Sequence, residues 1–287
     1  MKKKIEWSTS TNKISPIEKP QTEPSGFQSA VVKPEFGSRK QRLNVGVNWL
    51  RFLPAIVGSK EDWMMPVECY NMDDIAEWAK PSQENDLVAK VQNWLRKNAP
   101  EKLWDKEKKT GYRLWPKKQG IAWAIDQHAE EGKRLCLFRS SLYGGEYGGT
   151  PGLAYTIKTT AEAVDTEPGS PTAGQKIHGD ITDPGAGRLV KVEKVQPPGK
   201  DSYPSYRVAI GSQPAPLETI IELLTDEEHD LLCKLEETVH EPTIEEQAKW
   251  LRAYLGPDFP EEILGGKPKP KPTAEEEDEI PMNFADL

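Results

Sequence analysis

The chain has 287 residues, a formal net charge of −8, 36% hydrophobic residues, 25 prolines and a mean hydropathy of −0.70. That length can bury a sizeable core, yet this composition leaves part of the chain to arms, linkers or tails. No run of about 18 apolar residues occurs, which excludes a membrane-spanning helix, and "MKKKIEWSTST" lacks the apolar stretch of a secretory signal, so a cytoplasmic protein is expected.

Chemistry is also bounded early. Cys69, Cys136 and Cys233 are odd in number, far apart and without a CxxC pair, which fits reduced thiols. The four histidines, His128, His178, His229 and His240, do not fall at ligand spacing with them, so neither metal nor cofactor is expected. There is no GxxxxGK[ST], HExxH or GxSxG motif, and no catalytic residue is nominated. "GDITDPGAG", residues 179–187, reads as turns made by Asp180 and Asp183 rather than as a carboxylate pair. The expectation is a protein that binds and is not an enzyme.

The total charge conceals a division. From Leu217 onward there are 20 acidic and 6 basic residues, a charge of −14, whereas the first 216 residues hold 26 acidic and 32 basic, a charge of +6. A basic body can attract a polyanion, and an acidic end can repel or imitate one.

Along the chain, residues 1–43 are polar and proline-punctuated and read as a basic arm opening with Lys2, Lys3 and Lys4. "NVGVNWLRFLP" (44–54) alternates as a strand stopped by Pro54. Residues 72–98 read as a helical insertion of two helices broken at Pro81, the second with Leu87, Val88, Val91, Trp94 and Leu95 on one face. "GIAWAID" and "KRLCLFRSSL" read as strands, "YGGEYGGTPG" as a flexible connection, and 158–187 mostly as loop. "RLVKVEKV" and "YRVAIG" form a hairpin. Two helices then begin with capping boxes, Thr225/Glu228 and Thr243/Glu246. The Lys-Pro spacer after Gly265-Gly266 leads to "AEEEDEIPMNFADL". The expected domains are thus an arm (1–43), a core (44–215), an acidic helical segment (216–264) and a spacer with tail (265–287).

The stretch "KKTGYRLWPKKQGIAWAID" (108–126) combines Lys108, Lys109, Arg113, Lys117 and Lys118 with Tyr112, Trp115 and Trp123. Single-stranded nucleic acid needs cations to replace condensed counterions and flat side chains on which unpaired bases stack. This stretch holds both. Arg51, Arg139 and Lys191 lie on strands and are further candidates for phosphate contact, with Tyr143, Tyr147, Tyr203 and Tyr206 as further aromatics. The competing reading is that one of the two tryptophans is packed inside.

The order of several short pieces resembles the single-stranded-DNA-binding, helix-destabilising proteins of T-even-like tailed phages. "WLRFLP" (49–54) resembles that family's early "IRFLP" strand. "KKQGIAWA" (117–124) is similar to its basic cleft segment, and Tyr203 and Tyr206 repeat an aromatic-x-x-Tyr pair. Lys2, Lys3 and Lys4 followed by Ser8 and Thr9 resemble its cooperativity arm. The acidic block Glu275, Glu276, Glu277, Asp278 and Glu279, with Phe284, Asp286 and Leu287, is similar to its partner-binding tail. The family's zinc cluster has no counterpart, since its expected place holds only Cys69 and no histidine.

The resemblance implies a mainly β chain with helical additions: an OB-fold-like barrel core with a helical insertion and C-terminal helices. It implies sequence-independent coating of single-stranded DNA in phage replication, recombination and repair. The implied partners are single-stranded DNA, neighbouring copies of the chain, and a polymerase, helicase or helicase loader reached through the tail. The rivals are a phage assembly or scaffold protein, an RNA-binding OB protein, and a nuclease.

Overall fold

The computed structural model describes residues 5–8, 36, 43–70, 78–104, 114–143, 151–197 and 204–265. The chain divides into two compact units, Met1–Glu84 with Tyr112–Pro242 and Asn85–Gly111 with Thr243–Leu287.

The first unit is built on a seven-stranded antiparallel sheet: β1 (Gly46–Phe52), β2 (Met65–Tyr70), β3 (Trp78–Ala79), β4 (Lys117–Asp126), β5 (Leu135–Ser141), β6 (Arg188–Val195) and β7 (Ser205–Pro214). Its order is β3-β2-β4-β1-β6-β7, with β5 on the other edge of β4. β4 is long enough to serve two partners in succession on one edge. Lys117 to Ile121 pair with β2, and Ala124 to Asp126 pair with β1. Among the described residues β5 and β7 do not pair with each other, so the sheet stays open where a closed barrel is expected.

Both faces of β4 are covered, and this explains its near-continuous apolar run. Ile121, Trp123 and Ile125 point to one face, where Leu217, Ile220, Leu224, Leu232 and Leu235 cover them together with Phe36. Ala122 and Ala124 point to the other, into a core shared with Leu50, Phe52, Phe138, Val190 and Val192. A helix, α3 (Leu153–Ala161), seals that second core with Leu153, Ala154, Ile157 and Ala161.

One side chain ties the middle of the sheet to its connections. Arg51 is fully buried on β1 and donates to the carbonyls of Phe52, Ile181, Asp183 and Ala215, with Nε 2.9 Å from Ala215 O and Nη1 2.9 Å from Ile181 O. Burial lowers its pKa to about 10, and the nearby carboxylates of Asp180 and Asp183 act in the opposite direction. It remains charged at neutral pH. The segment 179–187 forms this cradle as expected from turns: Asp183 Oδ1 accepts from the N–H groups of Gly185 and Ala186, and Asp180 Oδ1 accepts from Thr182 N–H and hydroxyl. A Cβ at Gly187 would stand 2.2 Å from Arg51 Nη2, so only glycine fits there.

The second unit pairs α1 (Leu87–Asn98), followed by α2 (Pro100–Leu103), with α6 (Ile244–Leu255). Asp86 caps α1 through Ala89 N–H, and Leu87, Val88, Val91 and Leu95 are buried as the periodicity requires. Trp94, expected on that face, is half-buried and bonds Glu262 through Nε1. Fully buried Gln247 joins the two helices, accepting from Leu87 N–H at 2.9 Å and donating to Asn85 O at 2.9 Å. Arg252 makes a two-pronged pair with Glu261.

Several expectations change. The helical insertion at 72–98 reduces to a helix from Leu87, because Trp78 and Ala79 form β3, paired with Tyr70 and Cys69; residues 72–77 lie outside the described residues. α3 extends over 158–161, the start of the stretch expected to be mostly loop, and 162–187 is otherwise turns and irregular chain. Threonines disguise the helix, since Thr156, Thr159 and Thr160 return their hydroxyls to helix carbonyls instead of lowering the chain out of helix. The acidic segment 216–264 is shared between the units. Its first part, α4 (Leu217–Ile221) and α5 (Asp226–Leu231), packs on β4 and β5, and buried Glu228 accepts from Leu135 N–H at 2.9 Å. Both capping boxes are formed.

Arg51→Met removes a buried charged donor from four carbonyl partners and is expected to destabilise the fold by about 3 kcal/mol or more. Gly187→Ala should destabilise in the same direction. Urea melts of both variants check this, and wild-type midpoints would show that the cradle does not hold the sheet.

Candidate nucleic-acid interface

The basic, aromatic stretch enters the sheet at Lys117, and its neighbours there are fixed by pairing. Cys69 and Glu68 of β2 lie opposite Lys117 and Lys118, while Ser141 of β5 lies opposite Gln119 on the other edge. Beyond β5 the chain turns back over the start of β4. Leu142 N–H donates to Lys118 O at 3.1 Å, and the Tyr143 hydroxyl accepts from Lys118 N–H at 3.3 Å while donating to Pro116 O at 3.5 Å. Arg139 Nε donates to Gln119 Oε1. Four of the expected residues, Lys117, Lys118, Arg139 and Tyr143, therefore lie at one end of the β4–β5 pair, with Trp115 two residues ahead of Lys117 in the chain.

They do not meet on equal terms. Lys117 and Arg139 are each only 8% exposed, whereas Trp115, Lys118 and Tyr143 are half-buried and keep a surface for a ligand. Glu68, opposite Lys118, is held by Lys80 at 2.8 Å, so its charge is shared with a second cation. The glycines here serve close packing. A Cβ at Gly152, just before α3, would stand 2.3 Å from Ser141 O, and the Gly152 N–H donates to Tyr143 O at 2.7 Å. Tyr143 and Gly152 are thereby held together at the end of β5.

Other nominated residues lie elsewhere. Trp123 is a core residue, 3% exposed, with its ring edge-on to Phe36 and its Nε1 donating to Cys233 O at 2.9 Å. It cannot stack on a base, because α4 and the segment after it cover that face of β4. Arg51 is spent on backbone carbonyls and cannot reach a phosphate. Tyr206 packs against the core sealed by α3, and burial raises its pKa. Lys108, Lys109, Tyr112, Arg113, Tyr147 and Tyr203 lie outside the described residues, as do Lys2, Lys3, Lys4 and the tail from Glu275 to Leu287.

A second surface was not visible as a motif. On the face of β1, β6 and β7 opposite the α3 core, Trp49 pairs with Lys191, which pairs with Ala209; Val47 pairs with Glu193, which pairs with Arg207. Lys191 is among the residues expected to contact phosphate, whereas Trp49 and Arg207 are not. The available signal was period-two alternation: Leu50 and Phe52 are core residues, so Trp49 and Val47 must point the other way.

Among the described residues no group of three or more His, Cys, Asp or Glu side chains is placed to hold a metal ion, and no helix is long and apolar enough to cross a membrane. No protein-family model and no curated protein matches the chain. The reading of function therefore rests on the chain's own residues.

Trp123→Phe should lower stability by about 1–2 kcal/mol through loss of the bond to Cys233 and of buried area, and leave affinity for any nucleic acid unchanged. Chemical denaturation and an oligonucleotide titration of the same variant check the two halves. A large loss of affinity at wild-type stability would return Trp123 to the interface.

Proposed function

We propose that the chain binds single-stranded DNA without sequence preference and acts by covering it, not by catalysis. The observation that carries this reading is the position of the cationic, aromatic segment in the strand order. With β2 and β3 set aside as an insertion between β1 and β4, the remaining strands lie in the order β6-β1-β4-β5, which matches the 4-1-2-3 order of a Greek key; β7 adds a fifth strand. A five-stranded, partly open Greek-key barrel is the plan of the OB-fold, whose ligands lie on the second and third strands and against the loops joining first to second and fourth to fifth. On that plan Leu114, Trp115 and Pro116 close the first of these connections and Lys117 and Lys118 open the second strand, while Tyr203 falls between β6 and β7 in the sequence.

The chemistry agrees with this plan. Tyr143, whose hydroxyl bonds Lys118 N–H, and Trp115, three residues before Lys118 in the chain, offer half-exposed aromatic surface, the combination of ring and cation that a single strand requires. No helix or ribbon with a row of base-reading side chains is nominated, so binding is expected to discriminate strandedness rather than sequence. In this reading Lys2, Lys3 and Lys4 contact a neighbouring copy and the acidic tail contacts a protein partner.

Titration of the full chain with oligo-dT and with duplex of equal length, across a salt series, tests the proposal. Tight single-strand binding with a steep salt slope, weaker binding to duplex, and a slope reduced by about 0.7 in Lys118→Ala are expected. An RNA strand of the same sequence as competitor separates DNA from RNA preference. Absence of binding to any single strand at low salt would end this reading and favour an assembly protein, and metal-dependent loss of the oligonucleotide would favour a nuclease.

A further inference from the structure

We infer that Trp49 is a base-stacking platform, forming a subsite for single-stranded DNA on the outer face of β1, β6 and β7; this inference rests on the single-strand-binding reading above. Strand pairing puts Trp49, Lys191 and Ala209 in one row across three strands and Val47, Glu193 and Arg207 in the next. Adjacent strands lie about 4.8 Å apart, so the cations stand within one or two strand spacings of the tryptophan row.

The floor beside the ring is low. Ala209 presents only a methyl group, and Gly211 on β7 presents none. The indole extends across β6 until its Cζ3 lies 3.7 Å from the point where a Cβ on Gly211 would stand. A larger residue there would occupy the place the ring edge approaches. The indole is only half-buried, although it is one of the largest apolar side chains in the unit, and Val47 beside it is 50% exposed. An aromatic surface of this kind on a sheet face is what unpaired bases stack on.

The charges favour a polyanion as the occupant. Lys191 and Arg207 make no ion pair or side-chain hydrogen bond among the described residues, unlike Lys80, Lys133 and Arg252, which are all paired with carboxylates. Glu193 lies directly across from Arg207 yet forms no ion pair with it, so the guanidinium keeps its donors for another partner. A phosphate on either cation would leave the attached base within reach of the indole.

The test uses the full chain and labelled oligonucleotides of equal length, one of thymidines and one of abasic sites. Trp49→Ala should weaken binding of the thymidine strand by roughly five- to 150-fold, the range for loss of one stacked base, with little effect on the abasic strand. Trp49→Phe should keep most of the affinity. The double variant Lys191→Ala/Arg207→Ala, whose side chains support no core contact, should flatten the salt slope by about 1.4 on both strands. Wild-type protein that binds thymidine strands as tightly as Trp49→Ala and the double variant do would overturn the subsite while leaving the general reading intact. Equal weakening of both strands by Trp49→Ala would overturn stacking in particular. Failure of the wild type to bind any single strand would remove both.

Discussion

A single buried guanidinium organises the central strand. Arg51 sits in the middle of the sheet and gathers carbonyls from β1 itself, from the turn before β6 and from the residue after β7. Burying a cation costs free energy unless its donors are used, and here all three guanidinium nitrogens are engaged. The cradle around it follows from that need. Two aspartates shape the turns and place negative charge nearby, and Gly187 removes the one Cβ that would collide with the side chain. The cost and its compensation lie in separate segments that meet only in the fold.

The cradle also divides the outer face of β1. Its C-terminal half, at Arg51, is closed by residues 181–187 and 215. At its N-terminal half Val47 is exposed and Trp49 half-exposed. A strand that alternates strictly thus has one side committed to the α3 core along its length and the other shared between a closed polar cage and an exposed aromatic patch. The same division recurs on β4, where the entry at Lys118 is near solvent and the middle, at Trp123, is enclosed on both faces. Both candidate surfaces are the uncovered ends of strands whose middles build the core.

This division sets what could be read from residues alone. Strands β4 to β7, the hairpin of β6 with β7 and both capping boxes were legible, because each depends on neighbours close in sequence. The meeting of Trp115, Lys118 and Tyr143 was foreseen as a set of types but not as a place. Trp123, Arg51 and Tyr206 were assigned to a cleft because alternation tells which residues share a face and not which face another segment will cover. Trp49 was passed over for the same reason. α3 was hidden by threonines, and β3 by a helical pattern that its pairing with β2 overrides. The assignment of the acidic segment to both units could not be seen, since it depends on Glu228 and Leu232 finding β5 and on Gln247 finding α1.

The contact through Gln247 has a consequence for how the chain is made. The second unit joins Leu87 to a residue 160 positions later, and the whole of β4 to α5 lies between. Emerging from the ribosome, α1 is a lone amphipathic helix of twelve residues, too short to be stable without a partner. It must wait for α6 while the intervening sheet acquires its own structure. Closing so long a loop is entropically costly in an unstructured chain, and prior folding of the intervening segment removes most of that freedom. The order of assembly is therefore written into the connectivity: sheet first, helix pair last, with the apolar face of α1 the surface most in need of protection in the interval.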